Sequence, residues 1–337
     1  MDLNTLWFIL IGVLFAGFFF LEGFDYGVGM LLPFLGKDDR TRRVLINTVG
    51  PHWDGNEVWL ITAGGALFAA FPHWYATMFS GFYMAFVLVL LALIVRGVAF
   101  EFRSKLENPH WRGVWDWMLF VGSLLPSLLL PVALFNLLRG VPIDAKMTYQ
   151  GSLITLLNLP ALVWGLAGVL GFLFQGAIFL SLKIGGEIAA QARTVAEKMW
   201  APTLVVLVVA LLAGALTTDV ATRWPIALFL VPLLAVIALG LSGLSLQRGH
   251  SGAAFIAVGV AILLVVSSLF LGLYPRVMVS SLNPDWSLTI YTASSSAYTL
   301  RIMSYIALAL VPVVLLYQAW SYWIFRQRLV RESPLEY

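Results

Sequence analysis

Long apolar runs separated by short polar connections dominate this chain. A membrane-spanning helix needs about 20 mostly apolar residues. Nine runs fit that requirement, at approximately 6–32, 54–71, 77–100, 114–138, 157–184, 201–218, 224–244, 253–274 and 301–325. The second is the most polar, because Asp54 and Glu57 stand at its start. Most connections are short. The longer ones are 33–53, 139–156 and 275–300, and the last two carry the turn clusters "GVPID" and "SLNPDW". The pattern predicts an all-α integral membrane protein of nine transmembrane helices.

Composition agrees. Of 337 residues, 61% are hydrophobic and 11% charged, against about 45–50% and 25% in ordinary soluble domains. The opening "MDLNTLWFIL" lacks a basic n-region and a small-residue cleavage site, so it reads as the first helix rather than a signal peptide. Cysteine is absent, which excludes disulfides, thiolate metal sites and a cysteine nucleophile. The net charge of +3 is no nucleic-acid signal. Its distribution says more. With nine spans, fifteen Lys and Arg residues fall on one side and five on the other. Basic residues favour the cytoplasmic face, so the N-terminus is expected outside and the C-terminus in the cytoplasm.

The segments "GFFFLEG" (17–23) and "GFLFQGA" (171–177) echo each other on helices running the same way. This permits a four-helix bundle over 1–140, a second over 141–275, and an outer loop, peripheral ninth helix and tail over 276–337.

Glu22 and Asp25 stand inside the first apolar run, three apart and so on one helix face. Asp54 and Glu57 repeat that spacing in "GPHWDGNEVW". Glu101 closes the third span and Asp116 opens the fourth. In the expected orientation all six converge on the cytoplasmic half. Intramembrane carboxylates are costly and mark function by default, which points to a proton or cation route. The structural alternative is pairing with Arg42, Arg96 or Arg103, with Asp54 as a helix cap. For Glu101 and Asp116, at helix ends beside basic residues, the structural reading is preferred.

The four histidines, His52, His73, His110 and His250, lie in connections or at helix margins and show no paired-ligand spacing, so no haem or metal is expected in this chain. The small-residue stretch "TAGGALFAAF" (62–71) predicts a tightly packed helix face. Trp59 just before it reads as packing or as the wall of a gas or quinone path. The segment 284–296, "PDWSLTIYTASSS", reads as an interfacial loop or a cover over the bundle mouth.

The blocks "FLEGFDYGVGML", "PHWDGNEVWLITAGGALFAAFP", "FSGFYMAF", "FEFRSK", "WDW", "FQGA" and "SLTIYTASSSAYTLRIMSY" resemble, in order and over nearly the whole chain, subunit II of the cytochrome bd quinol oxidases. The resemblance implies a bacterial terminal oxidase of the cell membrane that oxidises quinol, reduces dioxygen to water and builds a proton-motive force without pumping. It implies two b-type haems and one d-type haem in a partner, subunit I, and none here. It also implies a pseudosymmetric heterodimer with that partner, small single-helix accessory subunits and, in some members, a structural quinone. By the same resemblance Asp25 and Asp54 fall on proton-pathway acids and Glu22 on a nearby acidic position. Glu57 falls where some relatives carry Gln, which departs from a required ionisable group. Trp59 falls on an aromatic position of the oxygen route. The alternative is a cation- or proton-coupled secondary transporter, which also buries acids in a repeated bundle. Against it, the acids crowd one side rather than the midplane.

Overall fold

The computed structural model describes residues 2–223 and 226–335. The first two residues of the expected span 224–244 lie outside the described residues. The helices are α1 (Leu3–Leu35), α2 (Asp39–Val49), α3 (Trp53–Ala70), α4 (Pro72–Gly81), α5 (Tyr83–Phe102), α6 (Pro109–Arg139) and α7 (Leu153–Leu156). They continue with α8 (Leu159–Lys183), α9 (Gly186–Thr217), α10 (Val220–Arg223), α11 (Ala227–Gln247), α12 (Ser251–Leu273) and α13 (Ala297–Ile324). Among the described residues, eight helices are long and apolar enough to cross a membrane: α1, α5, α6, α8, α9, α11, α12 and α13. The 18-residue α3 is not one of them, since its first turns carry Asp54, Asn56 and Glu57.

Side-chain caps set many of the starts. Asp2 accepts from Thr5 N at 2.7 Å, Asp38 from Thr41 N at 3.0 Å and Asn158 from Ala161 N at 3.1 Å. Each satisfies an orphan N–H of a first turn. Pro109 follows its cap Asn108 at the first helical position, where a missing N–H costs nothing. Gly140, at φ 99°, ends α6 in a conformation that favours glycine.

Besides the single turns α7 and α10, two longer segments read as connections are helical. In α2, Val44, Leu45, Ile46 and Val49 are buried while Arg40, Arg42 and Arg43 are half-buried, so a short amphipathic helix lies across the arginine-rich end of the bundle. The stretch before residue 201 is the first half of α9, whose charged side chains decorate a continuous helix. The expected span 77–100 is divided at Phe82 into α4 and α5.

α1 is the hub, packed against α3, α6, α8 and α12. Its closest crossing is with α8. A Cβ on Gly27 would overlap the Phe172 carbonyl, and one on Gly176 would stand 2.6 Å from Gly27 C. The two echoing segments thus touch, and Gln175 Nε2 donates to Phe20 O at 2.9 Å. In contrast, Gly64 and Gly65 of α3 face open space. The packed face expected of the stretch 62–71 is made instead by Ala63, Leu67, Ala70 and Phe71, all fully buried in the core of this chain. The segment 284–296 covers one end of the bundle: Leu288, Ile290 and Ala293 are fully buried, and Ser295 Oγ donates to Ala69 O at 2.7 Å. α13 is almost wholly exposed, with Leu300 its one fully buried residue.

Candidate functional site: a carboxylate cluster around Arg96

Glu22 and Asp25 are completely buried in α1. Their helical spacing turns both toward α3 and α5. From α5 comes Arg96, equally buried, whose Nη1 lies 2.6 Å from Glu22 Oε1 and 3.2 Å from Glu57 Oε2. The guanidinium sits over the rings of Tyr26 at 4.8 Å and Phe100 at 5.3 Å, a placement that stabilises a cation away from water. Carboxyl groups from two helices, Glu22 of α1 and Glu57 of α3, therefore share one arginine.

Asn56 completes the cluster. Its Nδ2 donates to Asp25 Oδ2 at 2.7 Å, and its Oδ1 accepts from Tyr322 Oη at 2.8 Å and from Gln318 Nε2 at 2.9 Å. Gln318 Oε1 in turn lies 3.5 Å from Trp59 Nε1, at the outer limit of a hydrogen bond. The Trp59 ring covers Gly17 of α1, where a Cβ would collide with it. Asp25 Oδ1, Glu22 Oε2 and Arg96 Nη2 have no hydrogen-bond partner among the described residues. Buried polar atoms left in this way call for water or a proton.

The sequence-predicted residues divide. Glu22 and Glu57 meet at Arg96, and Asp25, on the same face of α1 as Glu22, joins the cluster through Asn56. Asp54 is exposed on the first turn of α3 and makes no ion pair among the described residues. Glu101 is exposed as well. Asp116 belongs to a second, separate cluster. It accepts from Arg42 Nη1 at 2.7 Å and Arg103 Nε at 2.5 Å, while Asp39 accepts from Arg103 at 2.9 Å and Arg112 at 2.8 Å. That network joins α2 to α6 and the end of α5, in keeping with a structural role for Asp116. Of the six acids expected to converge, Glu22, Asp25 and Glu57 gather in one cluster, Asp116 joins a second, and Asp54 and Glu101 are exposed and join neither.

His52, at the start of α3, borders the first cluster. Its ring stacks on Tyr322 at 4.3 Å with an interplanar angle of 1°, and Phe325 meets it edge-on at 5.7 Å. Burial, with the nearby Lys183 ammonium, lowers its pKa to about 4, so the imidazole is neutral at physiological pH.

The family profile for "Cytochrome bd terminal oxidase subunit II" matches residues 3–325. The chain is 45% identical over 336 residues to "Cytochrome bd ubiquinol oxidase subunit 2" of Bacillus subtilis, covering 100% of this chain and 99% of that relative. It is 39% identical over 368 residues to "Cytochrome bd-I ubiquinol oxidase subunit 2" of Escherichia coli, covering 98% and 96%. A solved bd oxidase from Geobacillus thermodenitrificans shares the fold, with a TM-score of 0.77, 18% identity, and coverage of 96% of this chain and 99% of that one.

Proposed function

The chain belongs to the cytochrome bd terminal oxidase subunit II family, and from that membership we propose that its own share of the chemistry is to hand protons to the oxygen-reducing centre of its partner. As subunit II of a bd-type quinol oxidase it is a multi-pass membrane protein in an oxidoreductase complex, which replaces the transporter alternative.

The observation that carries the proton reading is the cluster of three carboxyl groups that Arg96 and Asn56 hold together. With all three ionised, the cluster has net charge −2. One or two bound protons bring it to −1 or to neutrality. In a dry site such charge is costly, so the cluster is suited to hold a proton and pass it on. Glu22 and Asp25 are the inner stations in this reading. Half-buried Glu57 and exposed Asp54 lie toward the mouth. Trp59, against Gly17, would line the oxygen route.

The arginine-rich end carrying α2 and the C-terminal tail is the cytoplasmic one in this proposal, with the N-terminus outside. α3 serves as the ninth span, its polar start at the cytoplasmic margin and its open Gly64–Gly65 face turned to subunit I. The two bundles, over 1–140 and 141–275, then share α1 and α8 as their seam. Small single-helix accessory subunits complete the assembly in this reading.

The haems are assigned to the partner. In this chain His52 is the one buried histidine among the described residues, and His73, His110 and His250 are exposed, so no pair of buried imidazoles offers axial ligands to a haem. A structural quinone is no better matched. The apolar cavity lined by Phe19, Trp164, Phe172, Thr203, Leu239 and Val265 holds about 90 Å³, less than the roughly 300–1,000 Å³ of ligand-sized sites.

The test is a reduced-minus-oxidised visible spectrum of the purified complex, with and without this chain. Loss of haem bands on deletion, and copurification of a haem-bearing subunit with the intact chain, support the assignment. A haem-free protein that purifies alone contradicts it.

A further inference from the structure

α13 reverses the usual distribution of a membrane helix surface. Leu315, Leu316, Tyr317, Trp320 and Trp323 are exposed, whereas the side turned to the bundle is Gln318, Ser321 and Tyr322. These stand at i, i+3 and i+4, one polar stripe on a helix otherwise made for lipid. Two of the three end on the same atom, Asn56 Oδ1.

That convergence fixes which way the Asn56 amide points. A primary amide has an acceptor end and a donor end. With Tyr322 Oη and Gln318 Nε2 both donating to Oδ1, the donor Nδ2 is left facing Asp25 Oδ2 at 2.7 Å. Without them only the longer donation from Nδ2 to Leu21 O, at 3.3 Å, opposes a turn that presents the amide oxygen to the carboxyl group.

The end of α13 is also tied down. Lys183 Nζ donates to Phe325 O, Leu329 N donates to Lys183 O at 2.8 Å, and Gly185 N donates to Leu329 O at 2.8 Å. Arg40 reaches Arg331 O and Ser333 O, each at 2.7 Å. Tyr322 is further held flat on His52.

We propose that Gln318 and Tyr322 are positioning residues for proton transfer, holding the Asn56 amide so that its N–H faces Asp25. This rests on the proton-route reading above. The titratable and charged groups around Asp25 are Glu22 and Tyr26 of α1, Glu57 of α3, Arg96 of α5 and Tyr322 itself.

The experiment compares Tyr322→Phe, Gln318→Leu, the double variant and Asp25→Asn in the assembled oxidase, recording haem content, oxygen consumption and its pH profile. Loss of one donor is expected to slow turnover about threefold and loss of both about tenfold, with haem content unchanged. The pH profile of the double variant is expected to be displaced from that of the parent. If Asp25→Asn is slow while the double variant keeps the parent's rate and profile, the inference is overturned and the proton route survives. If Asp25→Asn turns over like the parent, the proton route fails and the inference with it. If the double variant loses haem, Tyr322→Phe decides, because it keeps the ring on His52 and removes only the hydroxyl. An unmoved pH profile in that variant, whatever its stability, overturns the inference.

Discussion

Arg96 Nη1 lies 2.6 Å from Glu22 Oε1, and both side chains are fully buried. The pair joins α1 to α5 and sets the electrostatics of everything around it. Arg96 stays charged under all ordinary conditions, so the cluster always contains one cation. The carboxyl groups are the members free to gain or lose protons.

Removing that cation should therefore be worse than removing any one acid. Arg96→Met is expected to destabilise the complex by about 3–5 kcal/mol, the usual cost of breaking a buried pair. Glu22→Gln leaves Arg96 paired with Glu57 and is expected to cost about 1–2 kcal/mol. Thermal denaturation of the purified complex, followed by loss of the haem spectrum, measures both. Equal losses would contradict this division.

Asp116 offers the contrast. It sits between Arg42 and Arg103 in the other cluster. Asp116→Asn should lower stability by about 2–4 kcal/mol and leave the pH profile of turnover where it was. A displaced profile would show that this cluster also feeds protons.

His52 gives the structure an acid limit. Its folded pKa of about 4 lies below the ordinary 6.5. Stability from the neutral imidazole is complete above pH 6.5 and is lost as pH falls toward 4, because the unfolded chain takes up the proton first. The parent should lose about 1–3 kcal/mol over that window relative to His52→Phe, which keeps the stack on Tyr322. Melting temperatures of the two proteins from pH 7 to pH 4 would run in parallel if His52 were solvated instead.

The glycines separate packing within the chain from packing on the partner. A side chain at Gly27 would meet the α8 backbone, whereas one at Gly64 meets nothing within 4 Å. Gly27→Leu should prevent accumulation of the chain. Gly64→Leu should leave the chain folded but reduce copurification of subunit I, as read by pull-down and haem content. Undiminished copurification would remove α3 from the partner interface.

Much of this was legible in the sequence. The apolar runs locate the long helices because length and hydropathy alone decide what spans a membrane. The depth of Glu22 and Asp25 marks the site for the same reason. The pairing was not legible. Arg96 was one of three candidate partners, and only the α1–α5 contact selects it. Asn56 lay unremarked between Asp54 and Glu57. Gln318 and Tyr322 left a faint sign, polar residues four apart in the apolar "LLYQAWSYW", but their role depends on a helix some 260 positions away. The amphipathic α2 was obscured by its arginines, which read as a cytoplasmic connection.

The central claim is that Asp25, in the cluster held by Arg96, carries protons to the oxygen-reducing centre. The most direct test is the rate of proton uptake when the fully reduced complex reacts with dioxygen, measured with a pH-indicating dye in the parent and in Asp25→Asn. The expected result is uptake slowed at least about tenfold, with assembly and haem content unchanged. Uptake at the parent's rate in a fully haem-loaded Asp25→Asn complex would contradict the account.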